Sequence, residues 1–206
     1  MIDVTVIVAT CGSNKWRVMG NEAEKSIPLG VRSIRVHEPL MTVSQVRNYG
    51  LTKVETQYVV FLDADDNLHS EYFKDLEPTT DVTVTSIKYP YSSLPTIPKV
   101  WHCLNIRSER HKGVCTSVCL LKGNYIHIGA IICTEAIRAV GGFREYPVYE
   151  DWALFLAMQQ NGSTFSNHPE SVYLASIRQS QLHRNNSIPL NERNIIHTKI
   201  YSELVK

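Results

Sequence analysis

Three carboxylates stand within four residues at Asp63, Asp65 and Asp66, directly after the apolar run Gln57 to Leu62 (QYVVFL). Like charges this close repel one another unless a cation neutralises them, and an all-oxygen donor set suits a hard ion such as Mg²⁺ or Mn²⁺. An ion held there would in turn hold phosphates. The competing structural reading is a polar turn that caps a helix beginning near Ser70. A calcium EF-hand fits poorly, because the loop lacks a glycine at its sixth position and follows an apolar strand rather than a helix.

A second constellation runs Gly141, Gly142, Phe143, then Tyr149, Glu150, Asp151, Trp152. Its two acids open a helix, where they either complement the helix dipole or supply a general base. A third candidate is the run His102, Cys103, His111, Cys115, Cys119, which invites a zinc reading. Its last three members recur every fourth residue and no Cys-x-x-Cys knuckle appears, so buried thiols with surface histidines are the better reading. His183 and Arg184, followed by Asn185, Asn186 and Ser187, form a polar cluster: histidine suits Mn²⁺ and arginine suits diphosphate, and an exposed loop explains them equally well.

Positioning these residues requires an α/β frame. Asp3 to Ala9 (DVTVIVA) reads as a buried first strand, Asn14 to Ser26 as a helix stopped by Pro28, and Arg32 to Val36 as a second strand. A helix over Val43 to Leu51 takes Thr42 or Ser44 as cap, with Gly50 as its C-terminal break. Gln57 to Leu62 reads as a central parallel strand ending in the acids, and Asp81 to Ile87 as a further strand. Residues 89–122 are irregular. Then follow a strand over Tyr125 to Cys133, a helix capped by Thr134 that ends at Gly141 and Gly142, a helix from Glu150 to Gln160, and a helical tail from Asn191 to Val205. The first half is expected to be a parallel sheet and the later half a mixed continuation. In such sheets ligands collect at the carboxyl ends of the strands, where Asp63 to Asp66 would sit.

With 206 residues, 43% of them hydrophobic and 20% charged, one domain over 1–206 is expected. A formal charge of +1 carries no basic footprint for nucleic acid. The run Ile2 to Ala9 lacks the charged flank and the length of a signal peptide, and no membrane span is expected. Five cysteines at irregular spacing suit a cytoplasmic chain with free thiols.

The order VTVIVAT, then Gln45-Val46-Arg47-Asn48-Tyr49-Gly50-Leu51, then FLDADD, then GGF followed by EDW, over residues 4 to 152, resembles family 2 glycosyltransferases of GT-A type. The small members found in actinobacteria and their phages are the most similar. The resemblance implies a Rossmann-like, mostly parallel sheet flanked by helices, with a nucleotide-sugar half over 1–88 and an acceptor and catalytic half over 89–206. It also implies a nucleotide-sugar donor, a UDP-sugar foremost, and Mn²⁺ or Mg²⁺. Asp63 and Asp65 would be the Asp-x-Asp motif touching metal, ribose and diphosphate, shared by Asp66. Arg47 and Asn48 match a helix near the nucleotide, and Thr10 matches the loop after the first strand. Asp151 matches the catalytic base, with Glu150 beside it. His183 and Arg184 fall where such enzymes place a third metal ligand or a phosphate contact. Gly123, Asn124, Gly142 and Trp152 fall toward the sugar and acceptor. The sequence departs from the family between Ser26 and Val43, where the Asp-Asp-Gly-Ser segment that contacts the base is absent and the chain is compressed, so either a strand is missing or a connection is shortened; His37 and Glu38 lie there. Rival functions are a non-catalytic nucleotide-sugar-binding module and a nucleotidyltransferase, the latter disfavoured by the lack of a glycine-rich, lysine-containing loop. The acceptor would be a hydroxyl on a protein, a glycan or a modified DNA base, the near-neutral charge favouring the first two.

Overall fold

Eight strands share one sheet in the computed structural model of the chain, which describes residues 2–89, 97–98 (backbone only), 120–121, 124, 126–176 and 188–205. In chain order the elements are β1 (Val4–Cys11), α1 (Asn14–Glu24), β2 (Arg32–Glu38), α2 (Val43–Leu51), β3 (Tyr58–Leu62), β4 (Asn67–Leu68), β5 (Val82–Lys88), β6 (Ile97–Pro98), β7 (Ile131–Cys133), α3 (Thr134–Ala139), α4 (Glu150–Gln160), β8 (Phe165–Leu174) and α5 (Leu190–Leu204). The sheet order is β2-β1-β3-β7-β5-β8-β4, with β6 pairing β5. The long ladders β1–β2, β1–β3 and β5–β8 are parallel, and the short ones made by β7, β4 and β6 are antiparallel. Because β7 runs against both β3 and β5, the strands β1, β2, β3, β5 and β8 all end at the same edge.

The strand β3 is a continuous hydrophobic run, as a strand covered on both faces must be, and every one of its residues is buried. On one face Gly20 of α1 abuts Thr10 and Val8; on the other, Gly50 of α2 abuts Ile7. Gly50 therefore lies inside its helix, not at a break after it, and a Cβ there would come within 2.7 Å of Ile7 Cγ2. Thr42 is the cap: its hydroxyl accepts from Gln45 N, and Gln45 Oε1 accepts from Thr42 N, a reciprocal capping box. The second strand is present, paired over seven residues with β1. The departure from the family pattern lies in residue types rather than in a lost strand.

Other expectations needed correction. The strand proposed for Tyr125 to Cys133 shrinks to three residues, since Gly129 N donates to His127 Nδ1 and Ala130 N to the His127 carbonyl, local bonds that satisfy the backbone outside the ladder. Thr134 is the first residue of α3, not its cap, which is Cys133. Beyond Ser70 the chain makes i to i+3 turns, closed by Tyr72 N to His69 O and Lys74 N to Glu71 O, rather than a helix. The strand β8 has no periodic signature; it forms because it zips onto β5, and its pairing jumps between His168 and Val172, so that Pro169 falls in the irregularity where no ladder N–H is needed. Helix α4 is buried on every face from Trp152 to Met158, with α5 packed across it. No helix among the described residues is long and apolar enough to cross a membrane.

Candidate functional site

The acidic turn lies at the shared carboxyl edge, immediately after β3. Asp66 N donates to Asp63 O at 3.0 Å, closing the turn, and Asp63, Asp65 and Asp66 each bring one carboxylate oxygen to within 4.8 Å of the others. The end of β8 holds the turn from outside. Tyr173 Oη accepts from Asp63 N at 3.1 Å, Ser176 N donates to Asp66 Oδ1 at 2.7 Å, and Ser176 Oγ donates to the Asp65 carbonyl. Sequence reasoning missed Tyr173 and Ser176; nothing in their local pattern marks them, because they act 110 residues from their partners.

Burial, and then the charges of Asp63 and Asp65, push the Asp66 carboxyl up to about 8. Burial, and then the charges of Asp66 and Asp63, raise the Tyr173 phenol. Three converging carboxylates whose mutual repulsion is only partly relieved by N–H donors form a donor set that fits a hard divalent cation. Without one, the native state holds a proton on Asp66 that the unfolded chain releases at the ordinary carboxylate value. Stability is therefore expected to fall as pH rises through the window from about 4 to about 8, because the native state binds more protons across it. Thermal unfolding in chelator should show this slope, and both Asp66→Asn and millimolar Mn²⁺ should flatten it; an unchanged slope in Asp66→Asn would assign it to another group.

Arg47 connects this turn to the second constellation. Projecting from α2, its Nη2 meets Asp63 Oδ1 at 2.6 Å and its Nη1 meets Glu150 Oε1 at 2.8 Å; the arginine and glutamate side chains are only 5% and 3% exposed. Burial opposes the guanidinium charge, but Asp63, Glu150 and Asp151 outweigh it, and Arg47 is held protonated above its ordinary value. Its guanidinium lies 5.2 Å from the centre of the Phe143 ring, which packs edge-on against Phe61 of β3.

The Gly141-Gly142-Phe143 turn exists to seat that ring. Both glycines have positive φ, at 79° and 72°, and a Cβ on Gly142 would strike Asn48 Oδ1. Asn48 in turn clamps Phe143 by both backbone groups, Nδ2 donating to its carbonyl and Oδ1 accepting from its N–H, each at 2.8 Å. Asn48, expected near the nucleotide, is thus committed to the turn, and Gly142, expected toward the acceptor, faces Asn48.

The paired acids at the start of α4 divide. Tyr149, at φ 65° and ψ 21°, occupies the cap position in a left-handed conformation that is costly for a non-glycine residue. Glu150 then turns inward to Arg47, while Asp151 Oδ1 accepts from Trp152 N at 2.8 Å and Oδ2 accepts from Asn124 Nδ2 at 2.7 Å. Trp152, expected on the acceptor side, is 1% exposed: its Nε1 donates to Leu120 O, and its ring stacks on His197 of α5 at 4.3 Å. An indole so covered has no face to offer a ligand. Thr10 is likewise turned inward, its hydroxyl donating to Val36 O and meeting His37 Nδ1 across β2, so only its backbone borders the loop. His183 and Arg184, with Gly123 and the run His102, Cys103, His111, Cys115, Cys119, lie outside the described residues.

No protein-family model and no curated protein matches the chain. Solved structures do. The chain is similar to S. aureus TarS 1-349 in complex with UDP-GlcNAc, at 16% identity and TM-score 0.67, covering 98% of this chain and 66% of that one. A second structure of TarS 1-349 matches at 17% and 0.60 over 85% of this chain and 60% of that one. The mannosyltransferase PcManGT from Pyrobaculum calidifontis, in complex with GDP-Man and Mn²⁺, matches at 15% and 0.58, covering 98% and 70%. The chain shares the fold of these structures. The GT-A architecture expected from the sequence, a mostly parallel sheet flanked by helices with a mixed later half, is borne out. The chain spans about three fifths to two thirds of TarS 1-349.

Proposed function

We propose that this chain is a metal-dependent, inverting glycosyltransferase of family 2, a single domain that moves a sugar from a nucleotide-sugar donor, a UDP-sugar foremost, onto an acceptor hydroxyl in the cytoplasm. The observation that carries the reading is the bridge Asp63–Arg47–Glu150, which ties a cation-fitting acidic turn to the helix start that presents Asp151. The solved complexes with UDP-GlcNAc and with GDP-Man and Mn²⁺ support it through the shared fold.

Asp63, Asp65 and Asp66 would hold Mn²⁺ or Mg²⁺, whose charge stabilises the departing diphosphate when bound. Asp151 accepts the proton of the acceptor hydroxyl as that oxygen attacks the anomeric carbon and the bond from that carbon to the diphosphate oxygen breaks. One displacement inverts the centre. Arg47 fixes the position of Asp63 and neutralises buried Glu150; the backbone at Thr10 borders the nucleotide, and Arg184 and His183 are assigned to the diphosphate and the metal. A protein or glycan acceptor agrees better with a formal charge of +1 than a modified DNA base does.

Thermal stabilisation by UDP-, GDP-, ADP- and dTDP-sugars, with and without Mn²⁺, tests the reading. At a hundredfold excess over Kd, stabilisation of about 2.7 kcal/mol is expected for the true donor, a rise in Tm on the order of 5–10 °C for a chain of this size. That rise should require Mn²⁺ and vanish in Asp65→Ala. A metal-independent rise that survives Asp65→Ala would remove the acidic turn from the donor site.

A further inference from the structure

We infer that Asn124 is a positioning residue for Asp151, fixing the plane in which that carboxylate meets the acceptor hydroxyl. The inference rests on the transferase reading above and assigns Asn124 a place in it different from the acceptor contact expected from sequence. Asn124 Nδ2 donates to Asp151 Oδ2 at 2.7 Å, while the backbone N–H of Trp152 takes Asp151 Oδ1 at 2.8 Å. One donor alone leaves a carboxylate free to pivot about its Cβ–Cγ bond; donors on both oxygens remove that freedom. The Trp152 donor belongs to the helix itself, so the second restraint must come from elsewhere in the chain.

The amide of Asn124 can point only one way. Its Oδ1 accepts from Ile126 N at 3.1 Å, and exchanging oxygen and nitrogen would set an NH₂ against that N–H and an oxygen against the carboxylate. Ile126 itself is fully buried, so the Asn124 side chain is referenced to the hydrophobic core rather than to a surface loop. Trp152 adds a second reference, its Nε1 donating at 2.7 Å to Leu120 O, in the segment that precedes Asn124. Glu150 is hydrogen-bonded by the guanidinium of Arg47, and Asp151 by the amide of Asn124, a donor that orients a carboxylate without adding a charge.

The test compares the unmodified protein with Asn124→Ala, Asn124→Asp, Asp151→Asn and Asn124→Ala/Asp151→Asn. Nucleotide release is followed from UDP-, GDP-, ADP- and dTDP-sugars with Mn²⁺, with water or free sugars as acceptor. Asn124→Ala is expected to lower kcat up to about 100-fold, the cost of a small misplacement of a reacting group, with donor KM unchanged within about twofold. Asn124→Asp, of the same shape, sets a second carboxylate against Asp151 and should fall further than the alanine variant, with the pH dependence of kcat moved upward because the paired acids share a proton, while thermal unfolding of Asn124→Ala guards against a mere folding defect. Because Asn124 acts through Asp151, the double variant should be no slower than Asp151→Asn alone. A further loss in the double variant equal to that in Asn124→Ala, or a raised KM at unchanged kcat, would overturn the inference while leaving Asp151 as base. Full turnover in Asp151→Asn, or no release from any donor by the unmodified protein, would overturn the base reading and this inference with it.

Discussion

Asp151→Asn is expected to lower kcat by about 100- to 10,000-fold, the range associated with loss of a positioned general base, while the Mn²⁺-dependent thermal shift from the donor persists. The two readouts separate because Asp151 and the acidic turn are built from different parts of the chain. The turn follows β3 and is held by Tyr173 and Ser176, whereas Asp151 sits on α4 and is held by Asn124 and its own helix backbone. The asparagine is isosteric and keeps an oxygen for the Trp152 N–H; its NH₂ then faces that of Asn124, so the bond lost is the one to Asn124 while the backbone bond at the start of α4 is retained. Steady-state kinetics beside thermal shifts on one protein preparation would decide it. Turnover within a factor of two of the unmodified protein would remove Asp151 from the chemistry, and loss of the thermal shift as well would mean that the helix start supports the donor site.

The second large effect belongs to stability. Replacing Arg47 with Met is expected to destabilise the fold by about 3–5 kcal/mol, because it strands the Glu150 carboxylate in a site it occupies only as part of an ion pair. Asp63, with 38% of its side chain exposed, can recover water and should contribute little to the loss. The cost therefore resides mainly at Glu150, and Arg47→Met/Glu150→Leu should regain most of the lost stability, since an apolar pair of similar size replaces the buried charges. Urea unfolding of the two variants provides the comparison. A single variant within about 1 kcal/mol of the unmodified protein would show that Glu150 is not held by Arg47 in solution, because surface-type substitutions rarely exceed that size.

The arginine also explains why two distant motifs travel in one chain. Arg47 and Asn48 are adjacent on α2, so they point in different directions around the helix: one to the acids, the other to the Gly142-Phe143 turn. Asn48 grips the backbone of Phe143, and the Phe143 ring supports the guanidinium of Arg47. The GGF segment is thus part of the machinery that orients Asp63. Its two positive-φ glycines bring the peptide of Phe143 against Asn48 where a side chain would not fit.

What the amino-acid sequence determined by itself is the local part of this arrangement. The apolar run closing on Asp63 is legible because a doubly covered strand must be apolar throughout, and its carboxyl end is where an α/β sheet leaves polar residues exposed. A cap at Thr42 or Ser44, between which the structure chose Thr42, and the start of α4 at Glu150 are legible because capping and dipole complementarity act within one helical turn. Tertiary structure alone decided which adjacent residue faces which partner. Glu150 and Asp151 are chemically near-equivalent in sequence, yet the direction of each follows from the left-handed Tyr149 and from donors 103 and 27 residues away, Arg47 and Asn124. Asn48, Gly142 and Trp152, placed near ligands by their motifs, take part in a backbone clamp and a buried stack that no local pattern announces. Buried polar groups must find hydrogen-bond partners, and the packing of the whole chain sets where those partners lie.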